Sequence, residues 1–148
     1  GDIFFDDDVI YSLLEYMDIG INLFGNYYDK YEDCLVNQGK IRNFYLKNIC
    51  HQSILYKKSF LKPYNLKYKM LADWNENLRI KRRNFHYINR NIAVYEGNGV
   101  SATRLDYPFY NDYNKIVLTN YGVFGLLTSI LCRLKRKILF IIKNRRWK

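Results

Sequence analysis

The chain has 148 residues, of which 49% are hydrophobic and 18% aromatic, and its formal net charge is +10. This length allows one ordinary hydrophobic core, so we expect one compact domain with an appendage. Three cysteines without a CxxC spacing and only two histidines argue against a disulfide framework and against a zinc site. The cysteine usage fits a reducing cytoplasm.

The positive charge is concentrated at the end of the chain. All 14 acidic residues lie in residues 1–112 together with 15 of the 24 basic residues, whereas residues 113–148 hold the other nine basic residues and no acid. The body of the protein is therefore nearly neutral. A nucleic-acid function cannot be inferred from the net charge of the whole chain.

The first third of the chain combines helical and strand patterns. Three consecutive aspartates at 6–8 precede a helical apolar spacing over 9–17, and helix capping explains them more simply than a metal cluster does. Alternating apolar residues predict a strand over 18–27. A shorter strand at 34–36 and a short helix over 41–47 follow.

Between residues 50 and 77 the sequence predicts a strand, a polar turn and a helix. His51 and Gln52 enter the strand, and Asp73 lies beside Trp74 at the start of the helix. A carboxylate held at a helix start can serve as a catalytic base, but it can equally cap the helix. A lone histidine is more often structural than catalytic, and the tryptophan either stacks on a sugar or packs against the sheet.

The next segment carries positive charge and then glycine. A basic cluster over 79–83 closes the helix, where cations favour the helix dipole and are expected to face water. Two short strands over 85–88 and 92–95 are predicted on either side of an Asn-Arg-Asn turn. A loop with two glycines follows over 97–101, which by itself is a weak functional signal.

The C-terminal region is predicted to be helical, first over 107–121 and then along an apolar stripe surrounded by basic residues. The run over 123–131 is too short to cross a bilayer, which requires about 20 apolar residues. A basic amphipathic helix over 123–148 fits an anionic membrane surface. Alternatively, the helix packs on the domain or against a second copy. The stripe consists of Val123, Leu127, Ile130, Leu134, Ile138 and Ile141.

Residues 1–104 resemble the second half of the catalytic domain of glycosyltransferase family 2, whose members have the GT-A fold. Several motifs of this chain match the family in the same order along the chain. Together they are more specific than any one motif alone. The motifs are Gly1-Asp2-Ile3-Phe4, His51-Gln52 with Leu55-Tyr56-Lys57-Lys58, Tyr64-Asn65-Leu66-Lys67-Tyr68, Ala72-Asp73-Trp74, and Gly97-Asn98-Gly99-Val100-Ser101. We therefore divide the chain into this domain half, 1–104, and a helical basic tail, 105–148.

The resemblance implies an α/β fold, with an incomplete GT-A-type mixed sheet flanked by helices and a C-terminal amphipathic helical tail. It also implies inverting transfer of a sugar from a nucleotide-diphosphate donor to a saccharide or lipid-linked acceptor, in bacterial surface polysaccharide or glycolipid synthesis. By resemblance, Asp73 is the catalytic base and Asp2 binds Mg²⁺ or Mn²⁺. Contacts with donor or acceptor are implied for His51, Gln52, Trp74, Gly99 and Ser101.

In the family, the nucleotide-binding half precedes the Gly-Asp motif, so this chain alone is expected to be inactive or nearly so. An uncovered sheet edge invites pairing, which makes a homodimer a further expectation. The expected location is cytoplasmic, on the inner face of the membrane.

Two other functions stay open from the sequence. A non-catalytic, membrane-associated interaction module would tolerate the change Asp73→Asn, which a transferase would not. Nucleic-acid binding through the basic tail would show affinity that falls steeply with salt. Phosphate contacts do not need the isoleucines and leucines of the apolar stripe, so we expect no nucleic-acid partner.

Overall fold

One strand, β2 (Asn22–Asp29), pairs with three others and organises the sheet. The structure is a computed structural model that describes residues 3–4, 16, 20–97 and 104–145. The remaining strands are β1 (Ile3–Phe4), β3 (Cys34–Val36), β4 (Ile54–Leu55) and β5 (Phe85–Tyr95). The α-helices are α1 (Ala72–Ile80) and α2 (Tyr107–Arg145), and the 3₁₀ turns are His51–Ser53, Lys58–Phe60 and Arg82–Asn84.

The sheet is mixed. One edge of β2 pairs with β5 in parallel, and the other edge pairs antiparallel with β4 near its start and with β3 near its end. β1 adds antiparallel to the outer side of β5. The α/β class and the incomplete mixed sheet that the sequence predicts are therefore confirmed.

β5 is one strand of 11 residues, so the prediction of two short strands around a turn is wrong. Phe24 pairs with Tyr87 whereas Asn26 pairs with Asn91, so the additional residues of β5 form a bulge and not a turn. Gly25 lies at this irregularity. A Cβ atom there would lie 2.7 Å from the Arg90 carbonyl oxygen, which explains why this position has no side chain.

The other early elements agree in part with the sequence. The strand over 34–36 is confirmed, and the strand predicted over 18–27 is observed as β2. The helix predicted over 41–47 is wrong, because only a turn forms there. The Ile41 carbonyl, which would accept a helical hydrogen bond, instead accepts one from Arg82 Nε at 3.2 Å. The helix predicted over 9–17 lies outside the described residues, apart from Tyr16.

The main core lies between one face of the sheet and the two helices. Its aromatic rings meet mostly edge to face, as Phe24 does with Phe44 and with Phe85. Fully buried members of this core are Phe24, Phe44, Ile49, Leu78, Phe109 and Val117. A smaller cluster on the opposite face contains Leu23, Ile88 and Ile92.

Asp106 joins α2 to the start of α1. Its Oδ1 accepts a hydrogen bond from the Phe109 amide at 3.4 Å, as an N-cap residue does. Its Oδ2 accepts from the backbone amides of Met70 and Leu71 at 2.9 and 3.1 Å. Because this carboxylate is buried, it fixes the beginning of α2 against the residues that lead into α1.

α2 is broken at Gly122, whose φ of 69° and ψ of −171° are not helical. Before the break, Phe109, Tyr113 and Val117 are buried in the core; after it, the helix packs through Gly125 and Ser129. Every residue over 133–143 is exposed.

The predicted apolar stripe is mostly not the face that packs on the domain. Val123 and Leu134 are 63% and 52% exposed, for example. The apolar part of α2 is also longer than the run over 123–131 suggests. By length and composition alone, the longer stretch Tyr107–Lys143 qualifies as a helix that could cross a membrane.

Candidate active site

A cavity of about 540 Å³ opens between the sheet and the start of α1. Tyr27 and Tyr95, from the ends of the parallel pair β2 and β5, form one side of it. Asp73 lies on the other side, with His51 nearby. The volume of the cavity falls within the range of about 300–1,000 Å³ that is usual for small-molecule sites.

Asp73 is the second residue of α1 and its side chain is 21% exposed. Leu71 occupies the N-cap position and the helix has no side-chain cap, so the alternative role of Asp73 as N-cap does not apply. Asp73 Oδ2 accepts a hydrogen bond from Asn48 Nδ2 at 3.2 Å and lies 3.9 Å from His51 Nδ1. The carboxylate is therefore held in place by neighbours while it still faces the cavity.

The environment of Asp73 disfavours its charged form. Burial raises the pKa of this carboxyl, and the Trp74 backbone amide, the charge of His51 and the Asn48 amide each act in the opposite direction. The net shift is upward. A carboxylate with a raised pKa accepts a proton more readily near neutral pH than an exposed one.

A chain of hydrogen bonds fixes the group that holds Asp73. Tyr56 donates to Asn77 Oδ1 at 2.7 Å, and Asn77 Nδ2 donates to Asn48 Oδ1 at 3.0 Å. Because the oxygen of Asn48 accepts this bond, its amide nitrogen must point toward Asp73. Asn77 is fully buried, so the direction of the chain is set inside the core.

Gln38 holds the backbone around His51 in place through hydrogen bonds. This buried side chain accepts from the Cys50 amide at 2.8 Å and donates to Ser53 Oγ and to the Gly25 carbonyl, each at 2.6 Å. The 3₁₀ turn His51–Ser53 is thereby fastened to β2. His51 itself is 55% exposed and free to contact a ligand.

The remaining predicted site residues lie elsewhere or outside the described residues. Gln52 does not line this cavity, and its Oε1 is buried without a hydrogen-bond partner. Trp74 also points away from it. Its Nε1 donates to the Phe44 carbonyl at 2.7 Å and its ring packs on Phe109, so Trp74 is a packing residue, with α2 as the ring's neighbour where the sheet was predicted. Asp2, Gly99 and Ser101 are outside the described residues.

Sequence reasoning missed several residues in and around the site. The predicted helix with Asp73 also carries Glu76, which is buried and pairs with Arg79. Arg79 therefore does not simply face water, as was expected of the basic cluster. Lys47 and Lys69 line the cavity, but nothing in their spacing identifies them. Asp106 did have a signal, since an aspartate immediately before a helix with Pro in its first turn indicates an N-cap.

The described residues do not supply the ligands that Mg²⁺ or Mn²⁺ would need. Asp73 is the only carboxylate among the described residues that line the cavity. Within the described part of the chain, no group of three His, Cys, Asp or Glu side chains could hold a metal ion. The predicted metal ligand Asp2 lies outside the described residues.

The fold and the cavity define an α/β protein with a partly buried carboxylate that faces a ligand-sized cavity. Over 78 residues the chain is 37% identical to proteins named "PGL/p-HBAD biosynthesis glycosyltransferase" from Mycobacterium bovis and Mycobacterium tuberculosis. The matching segment covers 46% of this chain and 29% of each relative, so the chain spans less than a third of their length. This match supports a relationship to glycosyltransferases.

No protein-family model matches the chain. No solved structure matches it either.

Proposed function

We propose that this chain forms the acceptor side of an inverting glycosyltransferase of family 2 with a GT-A-type sheet, and that Asp73 is its catalytic base. The observation that carries the proposal is the half-buried carboxylate at the start of α1, facing a ligand-sized cavity with its orientation fixed by Asn48. The relatives' name supports the reaction class.

In the proposed reaction, Asp73 takes the proton of an acceptor hydroxyl as the hydroxyl oxygen attacks the anomeric carbon. The new glycosidic bond forms on the face opposite the leaving group, so the configuration inverts. The bond from the anomeric carbon to the nucleoside diphosphate breaks, and its electron pair leaves on the diphosphate oxygen. The proton remains on Asp73, whose raised pKa suits this role.

Lys47, Lys69 and His51 surround the same cavity. Lysine side chains bring positive charge toward the diphosphate that leaves, which lowers the barrier when negative charge develops there. The exposed ring of His51 is placed to contact the acceptor or the sugar. We propose a nucleotide-sugar donor, with Asp2 binding Mg²⁺ or Mn²⁺, and a saccharide or lipid-linked acceptor.

The membrane is the second part of the proposal. Every one of the 11 residues over 133–143 is exposed, and at 1.5 Å per residue this segment extends about 16 Å. This is about half of the roughly 30 Å hydrocarbon core of a bilayer. We therefore propose that the tail lies on or dips into the inner face of an anionic membrane while the first part of α2 stays packed on the core.

The decisive experiment changes Asp73→Asn in the longest natural form of the protein. We expect turnover to fall about 100-fold or more, because the acceptor hydroxyl loses its base. Nucleotide binding, measured by calorimetric titration with UDP and Mn²⁺, should be retained, and Asp2→Ala should remove its metal dependence.

Asp112→Asn provides the matched control. Asp112 is a partly exposed carboxylate that pairs with Lys67 and does not line the cavity at Asp73. Turnover of this variant should stay near that of the unchanged protein. Equal turnover in both variants would overturn the assignment of Asp73 and favour a non-catalytic interaction module.

A further inference from the structure

A second cavity, of about 180 Å³, lies on the other side of α1 from Asp73, between α2 and the turn after β3. Trp74 and Tyr113 form aromatic walls, and Arg133 and Arg136 line the cavity from one face of α2, one turn apart. It shares no lining residue with the cavity at Asp73. It is therefore a separate candidate site.

The two arginines are held in position without being neutralised. Arg133 Nη2 donates to Asn114 Oδ1 at 2.5 Å, and the guanidinium lies 5.2 Å from the centre of the Tyr113 ring. Arg136 Nη2 donates to the Leu46 carbonyl at 3.0 Å. Within the described residues, neither arginine forms an ion pair with an acid, and no carboxylate lines the cavity.

These contacts leave most of the guanidinium donors unused. Each arginine carries five N–H donors in a planar fork, and the hydrogen bonds described above occupy one nitrogen of each. The Ser129 hydroxyl is buried in the same wall and interacts with the Tyr113 hydroxyl. Two guanidinium forks around one small cavity match the several acceptor oxygens of a phosphate group.

The surroundings favour a phosphate that is attached to a lipid. α2 continues from Arg136 through Lys137 into the segment over 138–142, whose isoleucine, leucine and phenylalanine residues are 43–67% exposed. An acyl or prenyl chain that leaves the cavity could lie along this segment, whereas a free phosphate would gain nothing from it. The aromatic walls also suit the first carbons of a chain.

We propose that this cavity binds the phosphate headgroup of an anionic membrane lipid, with Arg133 and Arg136 as the recognition pair. The proposal deepens the membrane association proposed above, because it gives that association a specific headgroup site. It does not depend on sugar transfer. The proposed lipid site and the proposed sugar transfer can therefore fail separately.

The test uses the fluorescence of Trp74, which lines the cavity. A Trp147→Phe background removes the other tryptophan. We expect a saturable change on titration with dihexanoyl phosphatidic acid below its micelle concentration, and a much weaker response to inorganic phosphate. An equal response to inorganic phosphate would show a free-phosphate site and overturn the lipid assignment, and no response to either would overturn the site.

The arginines are tested by R133Q/R136Q against K135Q/K137Q as a matched control. Both double variants remove two positive charges from the same helix, but Lys135 and Lys137 do not line the cavity. We expect R133Q/R136Q to weaken the lipid titration about 100-fold or more, since two charge-assisted contacts are lost, and K135Q/K137Q to stay within about twofold. Equal weakening would show diffuse charge attraction and overturn the site.

Circular dichroism verifies that the variants fold. If R133Q/R136Q does not fold, R133K/R136K keeps the charge but loses the planar fork. We then expect lipid binding to weaken about tenfold, and unchanged affinity in that variant would overturn the role of the arginines. Titration with a short oligonucleotide tests whether the arginines bind nucleic acid instead. Stronger binding of the oligonucleotide than of the lipid would contradict a lipid site.

Discussion

Asp73 is stabilised by three polar neighbours, and yet its pKa is raised, because burial outweighs them. The charged form that a catalytic base needs is thus the form that the folded protein tolerates less well. Functional groups often show such a conflict between activity and stability. The direction of the pKa shift of Asp73 can be tested without any substrate.

We predict that Asp73→Asn stabilises the fold at pH 7. The folded-state pKa of Asp73 lies above its ordinary value of 3.8, so the folded state retains the proton longer than the unfolded state as pH rises. The ionised carboxylate therefore costs stability above the folded-state pKa, and this cost is absent below about 3.8. Urea unfolding at pH 7 and at pH 3.5 should show a gain for the variant only at the higher pH.

Asp112→Asn should behave in the opposite way. Hydrogen bonds from Lys67 and then from Tyr68 lower the pKa of Asp112, so its ionised form contributes stability that is lost as pH falls through the folded-state pKa. The variant should lose a little stability at pH 7 and none at low pH. A stability loss for Asp73→Asn at pH 7 would contradict the environment described here.

A second residue-scale prediction concerns Asp106. Asp106→Ala removes the cap of α2 and leaves the buried amides of Met70 and Leu71 without their acceptor. We expect a loss of about 2–4 kcal/mol in the free energy of unfolding, measured in urea. Asp106→Asn keeps an acceptor oxygen and should lose less. Equal losses for the two variants would argue against the capping role.

Sequence motifs located some site residues and could not locate others. His51 and Asp73 fall in short motifs, so their positions could be read directly. Gln38 and Asn48 act across 12 and 25 residues of sequence, and an Asn or Gln that holds a distant backbone looks the same in the sequence as one in a solvated turn.

At the scale of elements, α2 depends on its break at Gly122. The backbone there, with φ at 69° and ψ near 180°, belongs to a region that is almost restricted to glycine. After the break, Gly125 and Ser129 are the buried residues of the helix among those described.

We predict that Gly122→Ala destabilises the protein by about 1–3 kcal/mol in urea unfolding, because an L-residue is strained in this conformation. No atom lies within 4 Å of an added Cβ, so the loss would reflect backbone strain and not a clash. Thr119→Ala, an exposed change one turn earlier, should stay within about 0.5 kcal/mol. A neutral Gly122→Ala would mean that the helix straightens at no cost.

Elements set by local signals were predicted better than elements set by partners. The strand at 34–36 was found from the pattern alone, and the start of the helix at Ala72 agrees with the Ala72-Asp73-Trp74 motif of the family resemblance. β5 was divided in two because Asn-Arg-Asn is a turn signal, whereas in the structure pairing with β2 absorbs those residues in a bulge. On α2, the predicted apolar stripe is mostly exposed, because the residues that pack on the domain after the break include the small residues Gly125 and Ser129.

At the scale of the whole molecule, the protein separates a nearly neutral body from a strongly basic, apolar end. Charge attraction to anionic lipid adds to the burial of exposed apolar side chains. Nucleic-acid binding would use the charge alone. Binding to an anionic membrane and binding to nucleic acid can therefore be distinguished by how much binding remains at high salt.

We predict that the protein sediments with vesicles containing anionic lipid and does so less with neutral vesicles. Truncation after Cys132 removes the exposed segment and eight of the nine basic residues of the C-terminal region, and it should abolish sedimentation. Partial retention in 0.5 M salt is expected, because burial of apolar surface is not screened. Binding that disappears completely with salt would contradict apolar insertion.

The hydrogen-bond chain behind Asp73 also determines how the site responds to acid. Asn48 and Asn77 do not titrate, and burial raises the pKa of Tyr56 far from the range in which a carboxyl gains its proton. The supporting bonds therefore keep their direction while Asp73 changes charge. A carbon-13 carboxyl titration of Asp73 should accordingly report a change of charge at a fixed geometry, without a rearrangement of the cavity wall superimposed on it.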